Sequence, residues 1–152
     1  MKRTLLVAST AFFVGIALGG YLFAQSQPRS FLALTSCGSS CYRPNDLTGL
    51  LVSAAIQRAP GMLPNVLKET DKCVAIAHPF PEMPFHVVVF PKKDIKNIGD
   101  VSIEDQPYIM DCLGVIRSLI VERKLKYYRL SVNGPGFQDV TYLHFHLKSR
   151  ER

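Results

Sequence analysis

The sequence predicts an α+β domain: an antiparallel sheet packed with helices and preceded by an N-terminal hydrophobic helix. Three observations carry that prediction. The stretch Leu5 to Ala24 holds 20 residues and no charge. Two later segments, near residues 47–55 and 109–120, repeat their apolar residues at helical spacing. Around the second of these lie short runs rich in β-branched and aromatic residues, joined by hairpin-length polar turns. The order is helix, strands, helix, strands, and no segment repeats internally.

The opening stretch is long enough to cross a bilayer, because 20 helical residues rise roughly 30 Å. Lys2 and Arg3 precede it, so the positive-inside rule puts the N-terminus in the cytoplasm and the remainder outside. A cleaved signal peptide has a similar pattern, and Ala24-Gln25-Ser26 offers a small-x-small site. The length of the apolar run favours an anchor. The expected division is a signal peptide or transmembrane anchor over 1–26, a linker with a cysteine pair over 27–45, and a folded domain over 46–152. The domain is thus expected to be membrane-anchored and extracytoplasmic, or secreted or periplasmic.

The second element is a helix begun by Pro44-Asn45-Asp46, with Asn45 or Asp46 as N-cap. Leu47, Leu50, Leu51, Ala54 and Ala55 give it an apolar face, and Arg58-Ala59-Pro60-Gly61 stops it. Asn65 to Lys68 reads as a short strand, Glu69 to Lys72 as a polar turn, and Cys73 to Ala77 as a buried strand. Pro79, Pro81 and Pro84 stiffen the next loop. Phe85 to Phe90, with three consecutive valines, is the clearest strand. Ser102-Ile103-Glu104-Asp105 resembles a capping box. Ile109, Leu113, Ile116 and Ile120 then predict an amphipathic helix ending near Lys124. Tyr128, Leu130 and Val132 alternate with polar neighbours as a half-buried strand. A Gly/Pro loop, Asn133 to Asp139, leads to a last strand over Val140 to Lys148.

Composition sets the class. Of 152 residues, 47% are hydrophobic and 20% charged, which suits one folded core and excludes a disordered chain. The net charge is +6, two of which belong to Lys2 and Arg3. The remaining excess suits a phosphate-bearing ligand or an anionic membrane surface and is too small to argue for nucleic acid. Four cysteines permit three pairings. Cys37 and Cys41 fit a local disulfide in an oxidising compartment, or half of a zinc site with one residue more than the usual spacing. Cys73 and Cys112 read as buried, unreactive thiols.

The chemistry concentrates in Tyr142-Leu143-His144-Phe145-His146-Leu147. Strand alternation turns Leu143, Phe145 and Leu147 to the core and Tyr142, His144 and His146 to the other face. Two imidazoles roughly 7 Å apart along one strand form a fixed pair. His86 opens the valine strand and His78 stands before the proline loop. Paired strand histidines can also chelate zinc.

From about Arg58 to Lys148 the chain resembles the histidine-triad (HIT) superfamily. Three blocks carry the likeness: Glu69 through Ile76; Pro84-Phe85-His86-Val87-Val88-Val89-Phe90-Pro91-Lys92-Lys93; and Asn133-Gly134 through Gln138-Asp139-Val140 to Leu147. The resemblance implies a HIT-like sheet and a histidine nucleophile, His144, that attacks the α-phosphate of a nucleotide conjugate to give a nucleotidyl-histidine intermediate. It implies His146 as a donor to phosphate or leaving-group oxygens and His86 as an upstream histidine that supports the site. Asn133, Gln138, Asp139, His78 and Tyr142 fall at nucleotide-side positions. Tyr142 stands where the first histidine of the triad belongs, and a phenol lacks imidazole's proton chemistry near neutrality. His78 stands where many members have an acid for the ribose hydroxyls, and Phe137 replaces a glycine of the phosphate loop. Asp94 replaces a common histidine, an exchange read as harmless. No cofactor and no metal is implied.

The expected function is therefore a nucleotide phosphoramidate or phosphoanhydride hydrolase, or a transferase, of the HIT type. The expected partners are a nucleotide or nucleotide conjugate, a membrane through residues 5–24, and a second copy in a homodimer through the long helix and a strand, with no nucleic acid. The alternatives are a catalytically weak nucleotide-binding module, and a zinc-binding HIT-like protein using Cys37, Cys41, His86 and one of the paired histidines.

Overall fold

The computed structural model describes residues 2–30, 32 and 42–151. Helix α1 (Lys2–Phe23) is, among the described residues, the one helix long and apolar enough to cross a membrane, and none of it is buried. Helix α2 (Pro44–Arg58) follows. Its N-cap is Arg43 rather than Asn45 or Asp46. Pro44 takes the first helical position, where its missing N–H is not needed. Asn45 is then free to brace a distant loop, its Nδ2 donating to Gln138 O at 2.8 Å.

A five-stranded antiparallel sheet makes up the rest, with β1 (Val66–Glu69), β2 (Cys73–Ala77), β3 (Phe85–Pro91), β4 (Tyr128–Val132) and β5 (Phe145–Ser149) in the order β1-β2-β3-β5-β4. Helix α3 (Gln106–Glu122) links β3 to β4. The turn that opens it is the expected capping box, with Ser102 N–H donating to Asp105 Oδ2 at 2.7 Å.

Period-two alternation divides the sheet into two faces. Cys73, Ala75, Val87, Val89, Phe145 and Leu147 pack against Cys112, Val115, Ile116 and Leu119 of α3. Ile109, Leu113 and Ile120 flank that contact, partly buried. The buried stripe of α3 is thus rotated from the predicted one. On the other face Val74, Val88 and Phe90 pack with Ile56 of α2 and with Tyr142.

Three expectations are corrected. Cys73 and Cys112 are not thiols: they form a disulfide between β2 and α3, with Cα atoms 5.3 Å apart. Each faces the same core from opposite sides, so folding brings together sulfurs that are 39 residues apart in sequence. The half-buried strand expected over Tyr128–Val132 is an exposed edge, since no described element covers its outer side. The last strand begins at Phe145, not Val140. Before it the backbone bonds elsewhere: Thr141 N–H donates to Asn45 O (3.2 Å) and Leu143 N–H to Ile95 O (2.6 Å). The pair expected at Cys37 and Cys41 lies outside the described residues.

Candidate functional site

The α2 face of the sheet carries the histidines. Val88 of β3 pairs with His146 of β5, and His86 pairs with Lys148, so His86 and His146 are diagonal neighbours on one face. Both are buried, as is His144 just ahead of the strand. Ring centroids lie 4.8 Å apart for His144 and His146, and 5.3 Å for His86 and His146. His78 stacks on His86 with centroids at 4.1 Å and planes 6° apart.

Hydrogen-bond partners set the tautomers. His144 Nδ1 lies 2.6 Å from Tyr142 O. A carbonyl only accepts, so Nδ1 carries the proton and Nε2 keeps its lone pair. Glu82 N–H donates to His86 Nδ1 at 3.3 Å, which places the His86 proton on Nε2. That proton points to His146 Nδ1, 3.0 Å away. His146 therefore bears its own proton on Nε2, a buried atom without a partner among the described residues. Phe80 N–H likewise donates to His78 Nδ1 at 3.0 Å. The result is one nucleophilic nitrogen, on His144, beside a directed row of N–H donors ending at His146.

His78, His144 and His146 line a cavity of about 350 Å³ between the sheet and α2, with His86 behind them. Val52, Ile76, Val88, Phe90 and Val140 form its apolar part; His78, His144, His146, Asn133, Glu82 and Asp139 form its polar part. Among the described residues no lysine or arginine lines it. Lys148 is turned to Glu82, with Nζ 2.8 Å from Oε2. Asn133 also closes its own loop through Nδ2 to Phe137 O (3.2 Å). Two residues read from the sequence as nucleotide-side lie away from the cavity wall. Tyr142 is enclosed, its hydroxyl donating to Pro91 O at 2.7 Å. Gln138 is buried and donates through Nε2 to Lys96 O (3.1 Å) and Tyr142 O (3.3 Å).

Burial, and then the neighbouring His78 and Lys148, push His86 down to about 4. Burial, and then His144 and His86, push His146 down to about 4. Burial also lowers His144, against the pull of its bond to Tyr142 O. All three are neutral at pH 7. In the unfolded chain a histidine titrates near 6.5, so below that pH the unfolded state binds more protons. The stability that His86 and His146 contribute is complete above about pH 6.5 and is lost as pH falls toward 4. Urea midpoints measured from pH 7.5 to 4 check this, and the fall is expected to shrink in His86→Asn.

A metal is the other chemistry three imidazoles support. Ligand atoms of His78, His86 and His146 lie within 4.8 Å of one another. Metal-bound histidine normally donates its second N–H to a carbonyl or carboxylate. Here the second nitrogens of His78 and His86 face backbone N–H donors, so the nitrogens toward the cluster carry protons. The arrangement does not fit a cation and fits an acceptor, such as a phosphate oxygen.

The HIT domain family model matches residues 63–152. The chain belongs to the HIT domain family. An uncharacterised HIT-like protein of Synechococcus elongatus is 33% identical over 86 residues, which are 55% of this chain and 75% of that protein. Among solved structures, a HIT family hydrolase from Legionella pneumophila aligns at a TM-score of 0.57 and 29% identity, over 64% of this chain and 91% of that one. A HIT family hydrolase from Clostridium thermocellum aligns at 0.58 and 26%, over 65% and 88%. This HIT domain has histidines at 86, 144 and 146 and encloses a tyrosine at 142. Val52 and Glu82 escape a reading of the sequence. Val52 precedes the matched region, and Glu82 acts on His86 through its backbone, which no side-chain pattern reveals.

Proposed function

We propose that this HIT domain binds a nucleotide conjugate and cleaves it at the α-phosphate with His144 as nucleophile. The observation that carries the reading is the His144 Nδ1–H bond to Tyr142 O, which commits the ring to the tautomer whose Nε2 can attack. The Nε2–P bond forms as the bond from phosphorus to the leaving group breaks. The imidazolium so created keeps its Nδ1–H on the carbonyl. Water then cleaves the nucleotidyl-histidine. His146 Nε2–H donates to a phosphoryl or leaving-group oxygen, where a preorganised donor stabilises developing charge. Asn133 and Asp139 line the same cavity, and its apolar part suits a nucleobase.

The charge state narrows the substrate. Neutral His144 and His146, with no lysine or arginine on the cavity wall among the described residues, favour a phosphate with one negative charge over a terminal dianion. His146 cannot deliver a net proton: it would draw on His86, whose Nδ1 already accepts from Glu82, and leave an imidazolate. Leaving groups that depart as anions are thus favoured, which places phosphoanhydrides ahead of phosphoramidates. The full-length protein in detergent is expected to release nucleotide from a dinucleoside polyphosphate faster than from an adenosine phosphoramidate. The reverse order contradicts the proton argument. Micromolar nucleotide binding without release supports a binding module instead, and no binding of either probe ends the nucleotide reading.

The setting is inferred from α1 and the disulfide. A membrane-spanning α1 with Lys2 and Arg3 inside puts the domain on the outer side, where a disulfide persists. Two copies are inferred to pair through α3 and β4, which leave Met110, Val121, Tyr128 and Leu130 exposed. Light scattering on the detergent-solubilised chain is expected to give twice the protein mass of one chain. A monomer at micromolar concentration contradicts the pairing.

A further inference from the structure

Ser26 to Arg29 lie just beyond α1, across the boundary the sequence draws between anchor (1–26) and linker (27–45). The structure binds them to the domain. The Arg29 guanidinium meets Asp94 with both ends, Nη1 to Oδ2 at 2.6 Å and Nη2 to Oδ1 at 2.5 Å, and both side chains are wholly buried. Asp94 also accepts from Gln27 N–H (2.8 Å) and Ser53 Oγ–H (2.9 Å). Asp94 is thus no harmless exchange, since it anchors a distant segment. The ion pair leaves donors over: Nη1 also donates to Gln27 O (3.2 Å), and Thr141 O accepts from both Arg29 Nε (3.0 Å) and Nη2 (2.6 Å).

Thr141 O belongs to the peptide that joins Thr141 to Tyr142. The next carbonyl, Tyr142 O, is the one that fixes the His144 ring. Asn45 O holds the other side of Thr141, accepting from its N–H (3.2 Å) and hydroxyl (2.8 Å). Gly49 gives independent support. A Cβ there would sit 2.7 Å from Thr141 O and 2.9 Å from Arg29 Nε, so the close approach of α2 requires glycine. The backbone before His144 is irregular and makes no strand ladder, so these contacts hold it in place.

We propose that Arg29 is a positioning residue for His144, and that Ser26 to Arg29 are part of the catalytic domain. Arg29 acts through Thr141 O and Tyr142 O on the tautomer and aim of the ring. The proposal rests on His144 being the nucleophile, and its test separates the two. Arg29→Lys keeps the charge but loses the two-ended fork. Gly49→Ala keeps both charged groups and pushes on Thr141 and Arg29 together; it decides the matter where Arg29→Lys does not fold.

Both variants are made in the full chain in detergent, with histidine ring nitrogen NMR and turnover of a dinucleoside polyphosphate as readouts. Wild type is expected to show His144 protonated at Nδ1. A folded variant, with the His86 and His146 signals unchanged, is expected to show a mixture of His144 tautomers. Its kcat is expected to fall on the order of tenfold to a hundredfold with KM little changed, as for a slightly misplaced catalytic group. A folded variant with wild-type tautomer and kcat overturns the proposal. Should wild type release no nucleotide, the nucleophile reading fails, while the tautomer signals still decide whether Arg29 sets the ring.

Discussion

Replacing His144 with alanine is expected to lower nucleotide release by at least about a thousandfold, as removal of a covalent nucleophile does elsewhere. The fold is expected to survive. The bond lost is the one from Nδ1 to Tyr142 O, and that carbonyl keeps a donor in Gln138 Nε2. No buried acceptor is stranded, so the stability change is expected to stay within about 1–2 kcal/mol. Steady-state turnover beside a thermal melt checks both halves. Undiminished turnover in a folded variant removes His144 from the chemistry, whatever the family pattern implies.

Loss of the Cys73–Cys112 bond is expected to have the largest effect on stability. The bridge closes a loop spanning 39 residues, and the chain-entropy account assigns such a loop about 4 kcal/mol. A Cys73→Ala/Cys112→Ala double variant avoids leaving a lone buried thiol. Urea unfolding of this variant, beside wild type with and without reductant, measures the difference. Equal stability in all three contradicts a disulfide at this place. The bridge ties α3 to the same strand whose other face supports the histidine pocket. Reduction is therefore expected to loosen the site as well as the core.

The legible parts of the fold were those set by local periodicity. Cys73–Ala77 and the valine strand declared themselves by β-branched residues bounded by prolines and polar turns. The helix behind Ser102 declared itself by its capping box and apolar spacing. What depends on contacts across the chain was not legible. The cysteine pairing is one case, because nothing local distinguishes a buried thiol from half of a bridge. The exposed edge at β4 is another: Tyr128, Leu130 and Val132 alternate like a covered strand, and only the topology shows that nothing described lies outside them.

The site divides in the same way. The alternation around His144 and His146 was sufficient to place two imidazoles together, and the valine strand brought in His86. The tautomers were not legible, because they follow from the backbone groups of Glu82, Phe80 and Tyr142. Nor was Arg29, a single cation in a polar stretch whose partner Asp94 lies 65 residues away. Tyr142 looked like a member of the pocket because it alternates with His144. The structure encloses it instead, since the backbone before Phe145 leaves the regular strand and turns the phenol toward Pro91.

The most direct measurement is to trap the covalent intermediate. The full-length protein is mixed with a dinucleoside polyphosphate, quenched in base within milliseconds to spare an acid-labile N–P bond, and analysed by intact-protein and peptide mass spectrometry. A nucleoside monophosphate adduct on the peptide containing His144, at Nε2 and absent in His144→Ala, is the predicted result. Turnover without any adduct on that peptide would contradict the account.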